Sequence, residues 1–365
     1  MPENTNKNKV STESYKGVRD FYPEDMAIQN YIFNVWKKTA ESFGYSEYNA
    51  SVIEPIELYK AKSGSEIVKE QTYSFQDRGE RNVTLRPEMT PTVARMIAAK
   101  RKSLSFPIRW YSIPNLFRYE KPQRGRLREF FQFNADIFGV ENIQADMEMI
   151  SLAYETIKNF GLKDEQFEIK INTGANTTKN DAESLIQKLK EIGIKNAIFS
   201  EEVIRGMEYY TGIVFEIYDT GKENPRAIFG GGRYDNLLDI FDAEKIPAVG
   251  FGMGDVIIRD MLETYNLLPI IKPITQLYIC AMNDKSEIFA QNIAQKTREN
   301  GINTAIDYSG RKIGDQIKYA DKNKIPFVVI IGDNEVKTGK IKVKELSTGI
   351  ETETTADKIS EIISK

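Results

Sequence analysis

The 365-residue sequence contains no histidine and only one cysteine, Cys280. Without imidazole side chains, the protein cannot use histidine as a general base or as a metal ligand. A single cysteine excludes an internal disulfide framework and a cysteine-based metal site, and Cys280 lies in an apolar run (LYICAM) that predicts a small buried residue. Any catalysis must therefore depend on arginine, lysine, carboxylates or a metal ion that arrives with a substrate.

Long apolar runs and a large excess of one charge are also missing. No run is long enough to cross a bilayer and the N-terminus has no signal-peptide pattern, so we expect a cytoplasmic protein, in a reducing compartment, that has no membrane partner. The net charge of −3 argues against a general polyanion binder. A nucleic-acid partner would have to bind through local basic patches.

The segment from Trp110 to Gly139 carries the strongest functional pattern. Its second half alternates in the manner of a strand, and one face carries Gln132, Asn134 and Asp136 while apolar side chains occupy the other. The polar face could simply be solvated, as in many antiparallel sheets. The density of aromatic residues around it indicates that both faces are covered, which favours a polar binding floor.

Cations and a carboxylate precede this strand. Arg118 and Glu120 are predicted to share one face of the preceding strand. The loop between the two strands, KPQRGRLRE, is rich in positive charge and contains Lys121, Arg124, Arg126 and Arg128. A charged loop is often no more than a solvated turn, but here we predict an antiparallel hairpin that holds phosphate-binding cations over an amino-acid-sized pocket.

Two further clusters contain residue types suited to ligand binding. In VIRGMEYYTG, Arg205 lies on a tight turn ahead of Tyr209 and Tyr210, and a guanidinium there suits a phosphate or carboxylate. In FGGGRYD (229–235), three glycines allow close approach of a ligand to the backbone. Taken alone, the first is compatible with a surface turn and the second with ordinary strand–helix glycines.

The periodicity predicts two domains. The first two thirds read as an antiparallel sheet with helices at 23–43, 91–100, 145–161 and 177–193, and residues 248–262 are predicted to enter a helix through three glycines. Two prolines bracket a linker, beyond which strands and helices alternate as in a parallel α/β sheet. The predicted boundaries are a flexible tail at 1–14, a first domain at 15–268, a linker at 269–274 and a second domain at 275–365.

Several segments together resemble the histidyl-tRNA synthetases of class II. GVRDFYPED and EPIELYKAKSG resemble the first class motif, LRPEMTPTVAR with FRYEKPQRGRLREFFQFNADI the second, and AVGFGMGD the third. RGMEYYTG and GGGRYDNLL are similar to the two signatures of the histidine enzymes. The last third, through RKIGDQIKYADKNKIPFVVIIGDNEVKTGKIKVKEL, resembles the anticodon-binding module.

The resemblance implies an α+β fold: an antiparallel-sheet class II synthetase catalytic domain followed by a C-terminal α/β anticodon-binding domain. It also implies a homodimer that activates L-histidine with ATP and Mg²⁺ to histidyl-adenylate and transfers histidine to the 3′ end of tRNA(His). The magnesium ion would come with ATP, and no protein side chain is assigned to it.

The same resemblance assigns roles to individual residues. Arg118 and Arg205 would hold the α-phosphate from opposite sides and stabilise the transition state, and are the implied catalytic residues. The implied ATP-binding residues are Arg118, Glu120, Arg126 and Arg205. The implied histidine-binding residues are Glu88, Thr90, Gln132, Asp136, Tyr209 and Tyr210, of which Asp136 and Tyr210 would bind the two imidazole nitrogens. The implied contacts to the tRNA acceptor end are Lys121, Gln123 and Arg128. In the second domain we predict a basic patch, although any single lysine of it is equally compatible with a solvated helix face; its members are Arg311, Lys312, Lys318, Lys322 and Lys324.

The sequence departs from the family pattern in three places. The third motif often ends in an arginine that packs on adenine, but Ile257 takes that place and Arg259 lies two residues later. Residues 175–204 are a much shortened form of a helical insertion. Glu208 replaces the usual aspartate.

Two other functions are compatible with a related fold. A non-catalytic, synthetase-like regulatory subunit of histidine biosynthesis usually lacks the phosphate-binding arginines and the anticodon module, whereas Arg118, Arg126, Arg205 and a C-terminal domain are present here. The other alternative is a tRNA-binding protein without activation chemistry. The sequence favours the enzyme.

Overall fold

The computed structural model describes residues 10–60, 70–204, 209–221 and 226–363. The chain divides into two units, Met1–Pro269 and Ile270–Lys365. The predicted catalytic residue Arg205 and most of the predicted tail lie outside the described residues. Within the described ranges, no helix has both the length and the apolar character needed to cross a membrane.

The first unit is built on an antiparallel-rich sheet. Its strands are β1 (Ser46–Glu47), β2 (Ile53–Pro55), β3 (Tyr73–Gln76), β4 (Asn82–Leu85), β5 (Ile108–Ser112), β6 (Asn115–Phe117), β7 (Glu129–Phe138), β8 (Phe167–Asn172), β9 (Ala197–Phe199), β10 (Val214–Asp219), β11 (Ala227–Arg233) and β12 (Ala248–Gly254). Its helices are α1 (Pro23–Ser42), α2 (Glu57–Lys60), α3 (Thr90–Lys100), α4 (Ile143–Asn159), α5 (Lys179–Glu191) and α6 (Asp255–Thr264).

Nine of the described strands form the main sheet, in the order β1-β5-β7-β12-β11-β10-β8-β9 with β6 paired to β7. The pairs β1–β5 and β8–β9 are parallel and the others are antiparallel. A separate antiparallel sheet has the order β2-β4-β3. This architecture confirms the predicted α+β fold.

The alternation in β7 explains how one strand serves both core and site. Phe133 is fully buried and packs against Trp36 of α1, with ring centroids 5.7 Å apart, and against Phe251 of β12 at 5.3 Å. Because side chains alternate along a strand, Gln132 and Asn134 point to the opposite face. That face carries the cavities described below.

The region predicted as a shortened insertion forms part of the main core. Helix α5 begins at the capping residue Thr178, whose side chain accepts from the backbone N–H of Asp181. Its apolar stripe, Ala182, Leu185 and Leu189, is fully buried, and β9 then pairs with β8. The segment is thus a β–α–β crossover that completes one side of the sheet.

The second unit has strands β13 (Leu277–Ala281), β14 (Thr304–Ile306), β15 (Phe327–Ile331), β16 (Lys340–Glu345) and β17 (Glu351–Thr355). Its helices are α7 (Asp284–Glu299), α8 (Ile313–Lys322), α9 (Asp333–Thr338) and α10 (Ile359–Ile363). The strand order is β14-β13-β15-β16-β17. Cys280 on β13 is fully buried, as predicted, and burial raises the pKa of its thiol to about 12.

The sheet of the second unit differs in two details from the predicted parallel sheet. Strands β16 and β17 are antiparallel because a tight turn containing Gly349 (φ +72°) joins them, and such a turn cannot join parallel strands. Strand β17 (ETETT) was not predicted because its side chains are polar. In the first unit, residues 248–262 lead into a helix as predicted; the three glycines lie within β12, a strand that was not predicted, and the helix begins at Asp255.

Candidate active site

Two adjoining cavities open on the polar face of the main sheet. The smaller has a volume of ≈ 110 Å³ and the larger ≈ 620 Å³. Arg118, Gln132 and Gly252 line both of them. A small ligand in one cavity and a larger ligand in the other would therefore meet at Arg118.

Glycines of β12 make room for the side chains of β7. A Cβ atom on Gly252 would lie 2.8 Å from Cδ of Gln132, and one on Gly250 would overlap Oδ1 of Asp136. Both glycines pair directly with β7, Gly250 with Asp136 and Gly252 with Asn134. Close pairing of the strands with polar side chains laid across β12 requires glycine at these positions.

Arg118 lies just after β6, which ends at Phe117, so the expectation of a strand carrying both Arg118 and Glu120 was wrong. The backbone N–H of Arg118 donates to the carbonyl of Arg128 at 2.9 Å, and its Nε donates to the carbonyl of Pro87 at 2.9 Å. Its guanidinium lies 5.3 Å from the ring centroid of Phe130. One edge and one face of the cation are thereby fixed, which orients it between the cavities.

Several predicted histidine-binding residues line the smaller cavity. Thr90 lies at the first turn of α3, and Glu88 is 3% exposed just before that helix. The hydroxyl of Tyr209 donates to Oε2 of Glu88 at 3.2 Å. The residues that line this cavity are Glu88, Thr90, Arg118, Gln132, Asn134, Tyr209, Tyr210, Tyr234, Gly250, Phe251 and Gly252.

Three tyrosines form an aromatic wall of the smaller cavity. The ring centroid of Tyr209 lies 4.9 Å from that of Tyr210 and 5.6 Å from that of Tyr234. Edge-to-face and tilted contacts of this kind stabilise the cluster beyond simple burial. The wall can surround a flat ring while it presents hydroxyl groups.

Asp136 differs from its expected placement. It is 3% exposed and does not line the smaller cavity; it accepts a hydrogen bond from the hydroxyl of Tyr234, which does. Burial raises the pKa of Asp136 to about 7, although the hydrogen bond from Tyr234 opposes that rise. Burial together with the nearby Asp136 carboxyl raises the pKa of Tyr234 well above its usual value. A ligand in the smaller cavity would therefore meet Tyr234, whose hydroxyl is bound to Asp136, and not Asp136 itself.

The loop after β6 forms one side of the larger cavity. Arg126 and Glu120 line it and form an ion pair, with Nη1 and Oε2 3.6 Å apart. Gln123 and Arg126 exchange backbone hydrogen bonds across a turn in which Gly125 has φ +77°. That left-handed conformation favours glycine, and it directs the side chains on either side of Gly125 into the cavity.

The three predicted tRNA contacts are not equivalent. Lys121 and Gln123 are exposed. Arg128 is 9% exposed: its Nε donates to the carbonyl of Glu120 at 3.1 Å, its Nη1 donates to the hydroxyl of Tyr15 at 3.1 Å, and the ring centroid of Tyr119 lies 3.9 Å away. This placement favours a structural role for Arg128 instead of the expected contact with tRNA.

The position of the missing third-motif arginine is apolar. Ile257 lines the larger cavity. Arg259 does not line it, because its guanidinium pairs with Asp25 at 3.0 Å and with Glu263 at 3.1 Å. Arg259 therefore does not substitute for the family arginine.

The described residues contain no cluster of three or more acidic, cysteine or histidine side chains that could hold a metal ion. Two carboxylates, Glu120 and Glu216, line the larger cavity. Glu120 pairs with Arg126, and Glu216 accepts from the hydroxyl of Tyr218 at 2.6 Å. This donor set fits a magnesium ion held mainly by substrate phosphates better than a dedicated protein site.

Some residues of the site were missed in the sequence. Tyr234 belongs to the FGGGRYD segment, which was singled out for its glycines and as part of a family signature, but no role was predicted for Tyr234 itself. Tyr218 of β10 and Arg226, just before β11, also line the larger cavity, as does Glu216, which the sequence placed on a strand after Tyr210 without giving it a role. The alternation of VFEIYD gave a usable clue, since Glu216 and Tyr218 share a face of the strand.

The chain is similar to proteins of known function over nearly its whole length. A family model described as histidyl-tRNA synthetase matches residues 17–175 and 172–254, and one described as anticodon binding domain matches residues 276–365. A histidine–tRNA ligase of Leptospira biflexa is 37% identical over 412 aligned positions, which cover 93% of this chain and 94% of the relative. A histidine–tRNA ligase of Thermoplasma volcanium is 36% identical, and the alignment covers 93% of this chain and 95% of the relative.

Solved structures agree with these matches. The apo histidyl-tRNA synthetase of S. aureus superposes with a TM-score of 0.86 at 29% identity, covering 97% of this chain and all of that one. The enzyme of Nostoc sp. PCC 7120 has a TM-score of 0.78 at 21% identity and covers 97% and 99%. The second match supports the fold alone.

Proposed function

The chain belongs to the histidyl-tRNA synthetase family of histidine–tRNA ligases, and we propose how its two adjoining cavities divide the reaction. L-Histidine occupies the smaller cavity and ATP the larger. The carboxylate of histidine attacks the α-phosphate, which gives histidyl-adenylate and pyrophosphate. The 3′-terminal ribose hydroxyl of tRNA(His) then attacks the adenylate.

The observation that carries this proposal is the position of Arg118, which lines both cavities. A carboxylate in one cavity and a phosphate in the other would react beside its fixed guanidinium. Negative charge builds up on the α-phosphate oxygens in the transition state, and an oriented cation stabilises that charge more than it stabilises the ground state. We assign Arg205 to the opposite side of the same phosphate on the strength of the family resemblance.

The remaining residues of the larger cavity suit the rest of ATP. Arg126, whose side chain is 55% exposed, can turn toward the terminal phosphates, and Glu120 is assigned to the adenosine part. Magnesium would enter with ATP and neutralise phosphate charge, with Glu120 and Glu216 as the nearby carboxylates.

Recognition of histidine needs partners for an ammonium group and for two ring nitrogens. We assign the ammonium group to Glu88, Thr90 and Gln132. Tyr210 and the Tyr234–Asp136 pair are assigned to the imidazole. A buried site built to pair both nitrogens rejects an apolar analogue by roughly 10⁴-fold, because its own polar groups would be left unpaired.

None of these steps requires a histidine side chain on the protein. In the transfer step, a phosphate oxygen of the adenylate can accept the proton of the attacking ribose hydroxyl. The absence of histidine from the sequence is therefore compatible with the full reaction.

Contacts with tRNA are proposed at two places. Lys121 and Gln123, on the exposed side of the loop, suit the acceptor end. In the second unit, Arg311, Lys312, Lys318, Lys322 and Lys324 are proposed to face the anticodon stem, and Arg311 is held by Asp307 at 2.9 Å. We also propose that the protein is a homodimer, because its first motif resembles the one that builds the family's dimer interface. A cytoplasmic location is proposed because the single cysteine is free and buried, which suits a reducing compartment.

Histidine-dependent exchange of pyrophosphate into ATP tests the proposal. The native chain should catalyse exchange, and Arg118→Ala or Arg205→Ala should each reduce it by about 10²-fold or more. Arg81→Ala, which removes an exposed arginine that pairs with Asp77 and does not line either cavity, is the matched control and should leave exchange unchanged. No exchange by the folded native chain would contradict the proposal and favour the regulatory alternative.

A further inference from the structure

The larger cavity is also lined by a loop arginine that contacts helix α6. Arg124 lines the cavity, and its Nε lies 3.6 Å from Oδ2 of Asp260. Its Nη2 donates to Oγ1 of Thr264 at 3.4 Å. The loop arginine is thus tied to helix α6, 136 and 140 positions further along the chain.

The partners of Arg124 share a helix face with Ile257. Asp260 and Thr264 follow Ile257 by three and seven residues in α6, a spacing that places all three side chains on one stripe. The turn that carries Arg124 approaches the same stripe, because a Cβ atom on Gly125 would lie 3.9 Å from Cδ1 of Ile257. Arg124 therefore runs along α6 beside the apolar wall that Ile257 forms.

The wall beside Arg124 suits a flat, weakly polar group. The apolar side chains that line the larger cavity with Arg124 are Leu127, Phe130, Ala227, Ile228, Val256 and Ile257. A guanidinium that gives its N–H groups to a carboxylate and a hydroxyl still has its flat faces available for stacking. Because Asp260 compensates part of its charge, Arg124 is less suited to a phosphate than Arg118, whose Nε donates to the neutral carbonyl of Pro87.

We propose that Arg124 stacks on the adenine base of ATP against the Ile257 wall, held in place by Asp260 and Thr264. The inference depends on the proposed placement of ATP in the larger cavity. It assigns to a loop residue the base contact that α6 itself does not supply, since Ile257 is apolar and Arg259 pairs elsewhere.

The test uses the full-length protein and separates the base from the phosphates. Arg124→Ala should raise KM for ATP in the exchange assay by about 10-fold, as expected for the loss of one cation–π contact, while KM for histidine stays within about 2-fold. The inhibition constant of adenosine should rise to the same extent, and that of inorganic tripolyphosphate should not change. Arg259→Ala is the matched control, since it removes a guanidinium of α6 that does not line the cavity. It should leave both KM values and both inhibition constants unchanged.

A double variant makes the test independent of a general weakening of the loop. Ile257→Arg introduced into Arg124→Ala returns a guanidinium to the same wall and should recover most of the lost affinity for ATP and adenosine. The inference would be overturned if Arg124→Ala bound adenosine as tightly as the native protein, or if it bound tripolyphosphate more weakly. It would also be overturned if Arg226→Ala, which removes another arginine of the cavity, weakened adenosine binding while Arg124→Ala did not.

The two proposals fail in different ways. If the native chain shows no histidine-dependent exchange, the proposed function is wrong, and direct binding of adenosine to the native and Arg124→Ala proteins still decides the role of Arg124. If the native chain exchanges normally and Arg124→Ala binds adenosine equally well, only the role of Arg124 is wrong.

Discussion

The arginines of the loop between β6 and β7 have different structural roles. Arg118 faces the cavities, Arg124 crosses to α6, and Arg128 is buried against Tyr119. The sequence predicted a cationic loop, and the family resemblance assigned a different ligand to each of several of its arginines. It could not predict that Arg128 would be buried, because that depends on Tyr15 and the backbone of Lys16, more than a hundred residues away.

Removal of Arg128 should therefore affect stability. Arg128→Ala breaks its hydrogen bonds to the Glu120 carbonyl and the Tyr15 hydroxyl as well as its contact with Tyr119, and we expect a loss of roughly 2 kcal/mol in the free energy of unfolding. Lys121→Ala, in the same loop but exposed, should leave the melting temperature unchanged and weaken tRNA charging. Thermal melting of both variants checks this, and a normal melting temperature for Arg128→Ala would restore it as a candidate tRNA contact.

The buried carboxyl of Asp136 predicts a pH dependence of stability. Its pKa is about 7 in the folded protein and near 3.8 when unfolded, so between these values the folded chain binds a proton that the unfolded chain has released. The stability that this extra proton gives to the folded protein is fully present below pH 4 and is lost as pH rises through 7. The free energy of unfolding falls by up to about 1.4 kcal/mol per pH unit in this range.

Asp136→Asn isolates this effect, since the amide can still accept from Tyr234 but does not titrate. Melting temperatures measured from pH 5 to 8 should show the native protein losing stability relative to Asp136→Asn as pH rises. Parallel curves for the two proteins would show that Asp136 does not titrate in this range.

At the scale of elements, strand β12 was not predicted, although the helix that follows it was. Its sequence, AVGFGMG, was predicted to lead into a helix through three glycines. The glycines instead alternate along a strand because side chains of β7 cross it, Asp136 over Gly250 and Gln132 over Gly252. The sequence contains the alternation, but the reason for it lies on a partner strand.

A methyl group at Gly250 should therefore disrupt the element. Gly250→Ala places Cβ against Oδ1 of Asp136 and 2.8 Å from the carbonyl oxygen of Ala135, and we expect about 3 kcal/mol or more of destabilisation. Gly254→Ala, at the end of the same strand, has no atom within 4 Å of the new Cβ and should melt like the native protein. Equal melting temperatures for the two variants would refute this account of the glycines.

At the scale of the whole molecule, the two units have separate cores. One buried cluster of the second unit includes Leu277, Val329 and Ile341, and all of its described members lie between Leu277 and Ile363. The change from an antiparallel pattern to strand–helix alternation near residue 270 was visible in the sequence, because the two patterns have different periods.

The shortened region, residues 175–204, changes the length of the whole chain relative to its relatives. The alignments to both relatives span 412 positions, whereas this chain has 365 residues, so the relatives contain residues without a counterpart here. The two parts of the family match meet at residues 172–175, at the start of the shortened region. The sequence predicted the deletion; it did not show that α5 and β9 would remain as part of the sheet.

Separate cores predict separable activities. A protein that ends at Pro269 should fold, retain histidine-dependent exchange within about 10-fold, and lose most of its tRNA charging, because the proposed anticodon contacts lie beyond that point. Exchange and charging assays on the truncated and full-length proteins check this. Charging that persists undiminished in the truncated protein would contradict the role given to the second unit.

The most direct measurement is a crystal structure of the chain with a non-hydrolysable histidyl-adenylate analogue. Our account predicts the imidazole ring beside Tyr210 and Tyr234 in the ≈ 110 Å³ cavity, the phosphate on Arg118, and the adenine in the ≈ 620 Å³ cavity. An imidazole ring bound in the larger cavity, or a phosphate remote from Arg118, would contradict it.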